Sequence, residues 1–383
     1  MSVNVRPNPV ADPALTGTVL CLVGLGAIMA GSASIGIADE SVGQPLYFFF
    51  QHLGALAVGG VGMLVAIKVP VAVWNRVAGG LMLIAIALLL LVLQPNIGSS
   101  VNGARRWIDL GPIGFQASEL ARVALLIYVA SYSVRQHEAL TRSFGGFVRP
   151  LLVVALASLL LLLEPDLGAT VVLTATSLGI LFLAGARLRD LFVAALAAGS
   201  AFAALIWSSP YRLDRLLSWL NPWEDALDSG YQLVNSFIAI GSGTWFGAGL
   251  GKGVQKLHYL PEAHTDFVFA VLAEEAGLIG ATGVVILYSM LVYRAFVLSR
   301  RATLANLPFH ALLSAGIGIS LGLQAAISIG VNTGLLPTKG LTLPLISYGR
   351  TSVVVTLFAL GLLFRVAREL DDQPLPGKRR SGQ

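Results

Sequence analysis

The sequence predicts an all-α, polytopic membrane protein with about ten transmembrane helices and one large loop between the seventh and the eighth. Two observations carry this. Of the 383 residues, 56% are hydrophobic and only 12% charged, with a mean hydropathy of +0.79. Apolar stretches long enough for a ~30 Å hydrocarbon core at ~1.5 Å per helical residue recur from end to end. A third observation, the distribution of Lys and Arg, orients the bundle.

Taken in order, the apolar stretches predict spans at 13–37, 46–67, 77–94, 118–134, 149–164, 167–185, 190–208, 267–293, 309–330 and 347–367. The fifth and sixth are separated only by Glu164-Pro165-Asp166, which demands a very tight hairpin or a charge pair buried beside a helix break. An even number of spans puts both termini on one side. Sixteen of the 25 Lys and Arg residues fall on that side, so the termini are expected in the cytoplasm. The single domain then runs from 13 to 368, between a cytoplasmic tail at 1–12 and a tail at 369–383 whose Pro374, Pro376 and Lys378-Arg379-Arg380 read as disordered and able to touch anionic lipid. The first stretch is too long for a secretory core and reads as a retained span.

Composition also excludes function classes. Cys21 is the sole cysteine, so an internal disulfide and a thiolate metal cluster are ruled out, and packing is its expected role. The net charge of +5 reflects the cytoplasmic bias, and no nucleic-acid partner is expected. No repeat of fixed period and no inverted halves are visible.

Three loops on the non-cytoplasmic face carry most of the chemistry. The first, 95–118, joins Arg105-Arg106-Trp107 to Ser118-Glu119 and Arg122. Arg106 and Arg122 offer guanidinium forks suited to phosphate, while Trp107 and the arginines equally suit an interface with lipid headgroups. Ser118 and Glu119 read as the start signal of the fourth span.

The second loop, 209–265, is too long for a connector. Leu213, Leu216, Leu217 and Leu220 predict a short helix lying on the membrane, stopped by Asn221-Pro222. Glycines at 241, 243, 247, 249, 251 and 253 follow, with Lys252 and Lys256. Their amides and ammonium groups suit a pyrophosphate cradle; close packing of small residues is the competing reading, because the spacing is not that of a nucleotide P-loop.

This loop ends at Asp266, where a polar segment enters a long apolar helix. Capping of that helix by Thr265 or Asp266 is one reading. Catalysis and ion gating are the others, favoured by the company of Glu262, Glu274 and Glu275. Adjacent acids inside an apolar span need cationic partners or a wet cavity, and Lys339 and Arg350 beside the last span are the candidates. His258 and His264 do not form a recognised metal spacing, so no metal site is expected. The third loop, 331–347, is broken by Pro337, Gly340 and Pro344 and is expected to re-enter or to line a cavity beside Asp266, with Ser347 at its end.

These residues resemble a known family. The stretches 102–122, 164–170, 230–280 and 324–352, with Glu164-Pro165-Asp166-Leu167-Gly168 and His258-Tyr259-Leu260-Pro261-Glu262-Ala263-His264-Thr265-Asp266, are similar to the SEDS proteins of bacterial cell-wall synthesis, on the division rather than the elongation branch. The resemblance spans nearly the whole chain. It implies a ten-span glycosyltransferase of the cytoplasmic membrane that polymerises lipid II, with Asp266 at the family's essential acidic position. Arg106 and Arg122 match positions where the family places important cations. Substrate contacts are expected from Arg106, Trp107, Arg122, Lys252, Lys256, Glu262, His264, Lys339, Ser347 and Arg350, with Glu119, Glu274 and Glu275 as supporting acids.

The resemblance further implies as partners a class B penicillin-binding transpeptidase (FtsI-like), other division membrane proteins of the FtsQ, FtsB and FtsL type, lipid II and membrane lipid. No cofactor is demanded; whether a divalent cation, magnesium or manganese, bridges the pyrophosphate is left open. Three residues depart from the family pattern: Arg122 stands for Lys, Ala117 for Pro, and Arg350-Thr351 for Gly-Ser. The last departure puts a guanidinium at the cavity mouth, where it would tune substrate binding or pair with Glu275. A lipid II flippase using Glu274 and Glu275, an elongation-type polymerase, and a scaffold for partner spans are the alternatives.

Overall fold

The structure, a computed structural model, describes residues 12–372 apart from 102–103, 110–113 and 258. Most of the expected N-terminal tail, the tail beyond 372 with its basic cluster, and His258 lie outside the described residues.

Thirteen helices and three short strands are formed among the described residues. The first ones are α1 (Pro13–Val42), α2 (Tyr47–Lys68) and α3 (Val71–Val92). Next comes an antiparallel sheet of β1 (Gly98–Val101), β2 (Ala104–Asp109) and β3 (Gly114–Gln116), in that order. Then follow α4 (Ala117–Arg135), a short α5 (His137–Arg142), α6 (Phe144–Leu163), α7 (Leu167–Leu183) and α8 (Leu188–Trp207). The chain continues through α9 (Pro210–Leu220), α10 (Tyr231–Ser242), α11 (Val268–Leu304), α12 (Pro308–Asn332) and α13 (Arg350–Asp371).

Eight of these helices are long and apolar enough to cross a membrane; α7 is a shorter apolar helix, and α13 completes the ten expected segments. The protein is therefore a multi-pass membrane protein of all-α type. Its helix ends follow local chemistry. Asp12 caps α1 by accepting from Leu15 N at 3.1 Å, and Asp166 caps α7 by accepting from Ala169 N at 3.0 Å. The Glu164-Pro165-Asp166 hairpin is formed: α6 stops at Leu163 and α7 starts at Leu167.

The expected spans differ from the helices mainly at their ends. α3 begins at Val71 rather than 77, because Pro70 supplies its start, and α11 runs on to Leu304 past the apolar stretch. Cys21, expected in packing, is exposed on α1. The sheet, α5 and α10 are additions to the sequence reading. The short helix expected from Leu213, Leu216, Leu217 and Leu220 appears as α9, with Asn221 as its C-cap.

α4, α12 and α13 form the centre of the bundle, while α8 faces outward along almost its whole length. α2 lies tightly along α13, where a Cβ on Gly59 would sit 2.7 Å from Leu357 and one on Gly361 would sit 2.6 Å from the Met63 carbonyl.

α11 is interrupted at Gly277, whose φ of 67° and ψ of −169° no other residue type adopts readily. The break is filled by the loop after α10. Ala248 N and Gly249 N donate to the Glu274 and Glu275 carbonyls at 2.9 and 3.1 Å, and Leu278 N and Ile279 N donate to the Thr244 and Trp245 carbonyls at 2.9 and 3.3 Å. A helix broken at membrane depth keeps its backbone satisfied only by such a partner.

Candidate active site

A cavity of about 820 Å³ with many charged residues in its lining opens among the sheet, the α6–α7 turn, α9, the start of α11 and the loop at 333–349. Asp266 lines it, two residues before α11 begins. Its backbone is held on three sides. Asn332, buried at the end of α12, donates from Nδ2 to the Asp266 carbonyl at 2.9 Å and accepts from Ala270 N at its Oδ1 at 3.0 Å. Ser347 Oγ donates to the Thr265 carbonyl at 2.6 Å, and Tyr348 N donates to the His264 carbonyl at 2.9 Å. Before it, Glu262 adopts φ 55° and gathers the amides of Thr265, Asp266 and Phe267 onto its own carbonyl.

This clamp bears on the capping reading. No side-chain cap bond closes α11; Asn332 accepts from an amide of its first turn instead, and the Asp266 carboxylate faces the cavity. Burial raises its pKa from 3.8 to about 7, with Glu262 and Asp166 adding to the rise and Arg106 and Arg215 opposing it. A carboxylate so placed is a proton acceptor matched to neutral pH.

The cations have distinct settings. Arg106, on β2, donates from Nε to the Glu164 carbonyl at 3.2 Å and from Nη2 to the Pro165 carbonyl, so backbone oxygens aim it while its charge acts on the cavity. Arg122 is buried, bonded to Glu119 at 2.6 Å and to Gln324 Oε1 at 2.6 Å. Lys339 and Arg350 line the same cavity, as do Trp107, Glu119 and Glu262. Burial, then the charges of Arg215 and Arg212, lowers the pKa of Lys339. Arg350 Nη2 comes within 3.4 Å of where a Cβ on Gly114 would lie, beside the sheet.

Six expected contributions lie elsewhere. Lys256 is buried and bonded to Glu275 at 2.5 Å, with Ser32 Oγ donating to Glu275 at 2.7 Å and accepting from Lys256 at 2.8 Å. Glu275 is therefore the partner of Lys256, and Lys339 and Arg350 do not serve it. Glu274 accepts from Val254 N at 2.8 Å and from Gln255 N at 3.3 Å, and Glu275 accepts from Gly251 N at 3.0 Å. The glycine-rich segment thus cradles the protein's own carboxylates, and Lys252 stands outside the cavity. Gly243 and Gly247 pack on α11, where Cβ atoms would fall 2.0 and 2.1 Å from the Ala273 and Glu275 carbonyls, so close packing is the correct reading.

Ser347 is buried, receiving Leu343 N at 2.7 Å while it donates to Thr265. His264 stacks on Phe48 at 5.4 Å and lies against Tyr348; burial lowers its pKa. Both build the wall behind Asp266 rather than the cavity surface.

Sequence reasoning missed Asp166, Arg215, Gln116 and Gly340 as cavity residues. A Cβ on Gly340 would lie 3.0 Å from Asp266 Oδ2, so the glycine lets the backbone approach the carboxylate. The acidic hairpin was the available signal for Asp166. Glu164, its neighbour, is fully buried, and burial lifts its pKa to about 8. Among the described residues no group of three or more His, Cys, Asp or Glu is arranged to hold a metal ion.

The model of the cell cycle proteins FtsW, RodA and SpoVE matches residues 13–372. The chain belongs to this family, the SEDS proteins. Among SEDS relatives, the probable peptidoglycan glycosyltransferase FtsW of Thioalkalivibrio sulfidiphilus is 50% identical over 372 residues, covering 97% of this chain and 93% of that protein. The protein of the same description from Legionella pneumophila is 47% identical, covering 95% and 92%. Solved SEDS structures agree. A chain of a peptidoglycan synthase complex in which polymerisation and crosslinking are coordinated superposes with a TM-score of 0.76 at 30% identity, covering 94% of this chain and 99% of that one. The rod shape determining protein RodA of Thermus thermophilus superposes at 0.69 with 30% identity, covering 94% and 98%.

Proposed function

We propose that this protein is a peptidoglycan glycosyltransferase that polymerises lipid II into glycan strands for septal wall synthesis, with Asp266 as general base. The observation that carries the reading is Asp266 itself, a cavity carboxylate held at a pKa of about 7 by burial, among Arg106, Arg215 and Lys339.

The chemistry follows from these positions. Asp266 takes the proton from the acceptor hydroxyl as its oxygen forms a bond to the donor's anomeric carbon. The bond from that carbon to the lipid diphosphate breaks, and the diphosphate leaves with the electron pair. One carboxylate suffices for this inverting displacement because the leaving group is good. Arg106, aimed by the α6–α7 turn, stabilises the charge that develops on the diphosphate, with Arg122 behind it in a hydrogen-bonded pair with Glu119. The flippase reading loses its acids, because Glu274 and Glu275 are engaged by the glycine loop and Lys256.

The same reading includes the bacterial cytoplasmic membrane with both termini inside, enrichment at the septum, and a class B penicillin-binding transpeptidase with FtsQ-, FtsB- and FtsL-like proteins as partners. Identity near 50% to proteins described as FtsW supports division over elongation. The test is purified protein with its transpeptidase and labelled lipid II. Glycan strands are expected; lipid II moved across a vesicle bilayer without polymer would overturn the proposal.

A further inference from the structure

Residues 343–347, in the loop between α12 and α13, are buried throughout. The chain closes on itself there. Ile346 N and Ser347 N donate to the Leu343 carbonyl at 3.1 and 2.9 Å, and Leu343 N donates to Ser347 Oγ at 2.7 Å. Inside this turn Leu345 stands at φ 69°, a left-handed conformation that a leucine keeps only where its surroundings impose it.

Two helices supply the constraint. α1 and α11 pack along each other and are pinned at two levels: Arg294 bonds to Asp12 at 2.6 Å, and Ser32 Oγ donates to Glu275 at 2.7 Å. Between those levels, Gly26 of α1 and Tyr288 of α11 meet the turn from its two sides. A Cβ on Gly26 would collide with the Leu345 carbonyl, so the glycine lets the turn come this close. Tyr288, 4% exposed, donates its hydroxyl to the Pro344 carbonyl. The turn is a wedge gripped between two pinned helices.

Gly26 and Tyr288 both lie outside the cavity lining, yet the wedge leads into it. Ser347 Oγ donates to the Thr265 carbonyl at 2.6 Å, and Tyr348 N donates to the His264 carbonyl at 2.9 Å. A displacement at Pro344 or Leu345 is therefore passed on to the two residues that precede Asp266. A reacting group must be placed to a fraction of an ångström, and locally strained backbone held by its packing is one way to do so. We infer that Tyr288 and Gly26 are positioning residues, which act through the wedge at 343–347 to set where Asp266 stands in the cavity. The inference rests on Asp266 as the base proposed above.

The test uses full-length protein in nanodiscs with its transpeptidase and lipid II. Tyr288→Phe removes only the hydroxyl, and Gly26→Ala pushes the Leu345 carbonyl from the opposite side. Each should lower kcat about threefold to tenfold with KM little changed. Each should also let water closer to Asp266, so the midpoint of kcat/KM against pH should move below about 7. Tyr293→Phe, at a side chain 61% exposed on the same helix, should match wild type. Unchanged kcat and midpoint in Tyr288→Phe and Gly26→Ala would overturn the inference. A raised KM at constant kcat would do the same, as would variants that only lose Tm or do not fold, because the wedge would then serve stability alone. Activity retained by Asp266→Asn would refute the base itself, whereas an inactive Asp266→Asn beside a wild-type Tyr288→Phe would refute only the positioning role.

Discussion

Asn332 Nδ2 donates to the backbone carbonyl of Asp266 at 2.9 Å, joining the end of one buried helix to the residue at the mouth of the next. The same side chain accepts from Ala270 N, so one amide both places the carboxylate and satisfies the first turn of α11. Asn332→Ala should lower kcat more than it raises KM. It should also cost about 1–3 kcal/mol of stability through the groups left unpaired. Steady-state kinetics beside thermal unfolding in detergent checks both; equal kcat with a lower Tm would leave Asn332 a purely structural residue.

The pH profile follows from the raised pKa of Asp266. The base acts only when deprotonated, so kcat/KM should fall about tenfold per pH unit below about 7 and level off above it, whereas an ordinary carboxylate would stay flat down to about pH 5. Its neighbours fix the direction of further shifts. Arg106→Gln removes a charge that favours the ionised form and should move the profile to higher pH; Glu262→Gln removes one that opposes it and should move the profile to lower pH. Shifts of the same sign would contradict the electrostatic account.

Gly340→Ala inserts a Cβ 3.0 Å from Asp266 Oδ2 on a backbone that needs no special conformation. The carboxylate must move by a few tenths of an ångström or more. Positional errors near 1 Å cost up to about 10²-fold in rate, so a loss of tenfold or more is expected with Tm little changed. Wild-type turnover by this variant would show that the approach of residue 340 has no bearing on the base.

The buried Lys256–Glu275 pair holds the glycine loop in the break of α11. Removing one partner, as in Lys256→Met, leaves an uncompensated buried charge and should cost about 3–5 kcal/mol, while Lys256→Met/Glu275→Leu should recover much of that. A double-mutant cycle on thermal unfolding measures the coupling. Additive losses would mean that the two side chains act independently.

The bundle was legible because apolar runs of membrane length are a strong signal, and even the hairpin at 164–166 could be placed. Its finer features were not. Gly277 breaks α11 only because a loop some thirty residues earlier supplies the hydrogen bonds, and nothing local in an apolar helix announces that. The same loop explains the misplaced residues: Lys252, Lys256, Glu274 and Glu275 are the right chemistry for a phosphate site, yet Lys256 answers Glu275, loop amides answer both acids, and Lys252 stands outside the cavity. Asp266, Arg106, Arg122, Lys339 and Arg350 do meet in one cavity, because the polar loops and the helix starts that carry them converge there. Asp166 was read as part of a turn, and only the fold brings it across to Asp266.

The most direct measurement of the central claim compares wild type with Asp266→Asn in glycan-strand formation from purified lipid II, with the transpeptidase present and equal folding and assembly confirmed. The substitution keeps size and hydrogen bonding but removes basicity. The account predicts polymer from the wild type and a loss of about 10²-fold or more in the variant. Strands formed at near wild-type rate by Asp266→Asn would contradict it and move the base elsewhere.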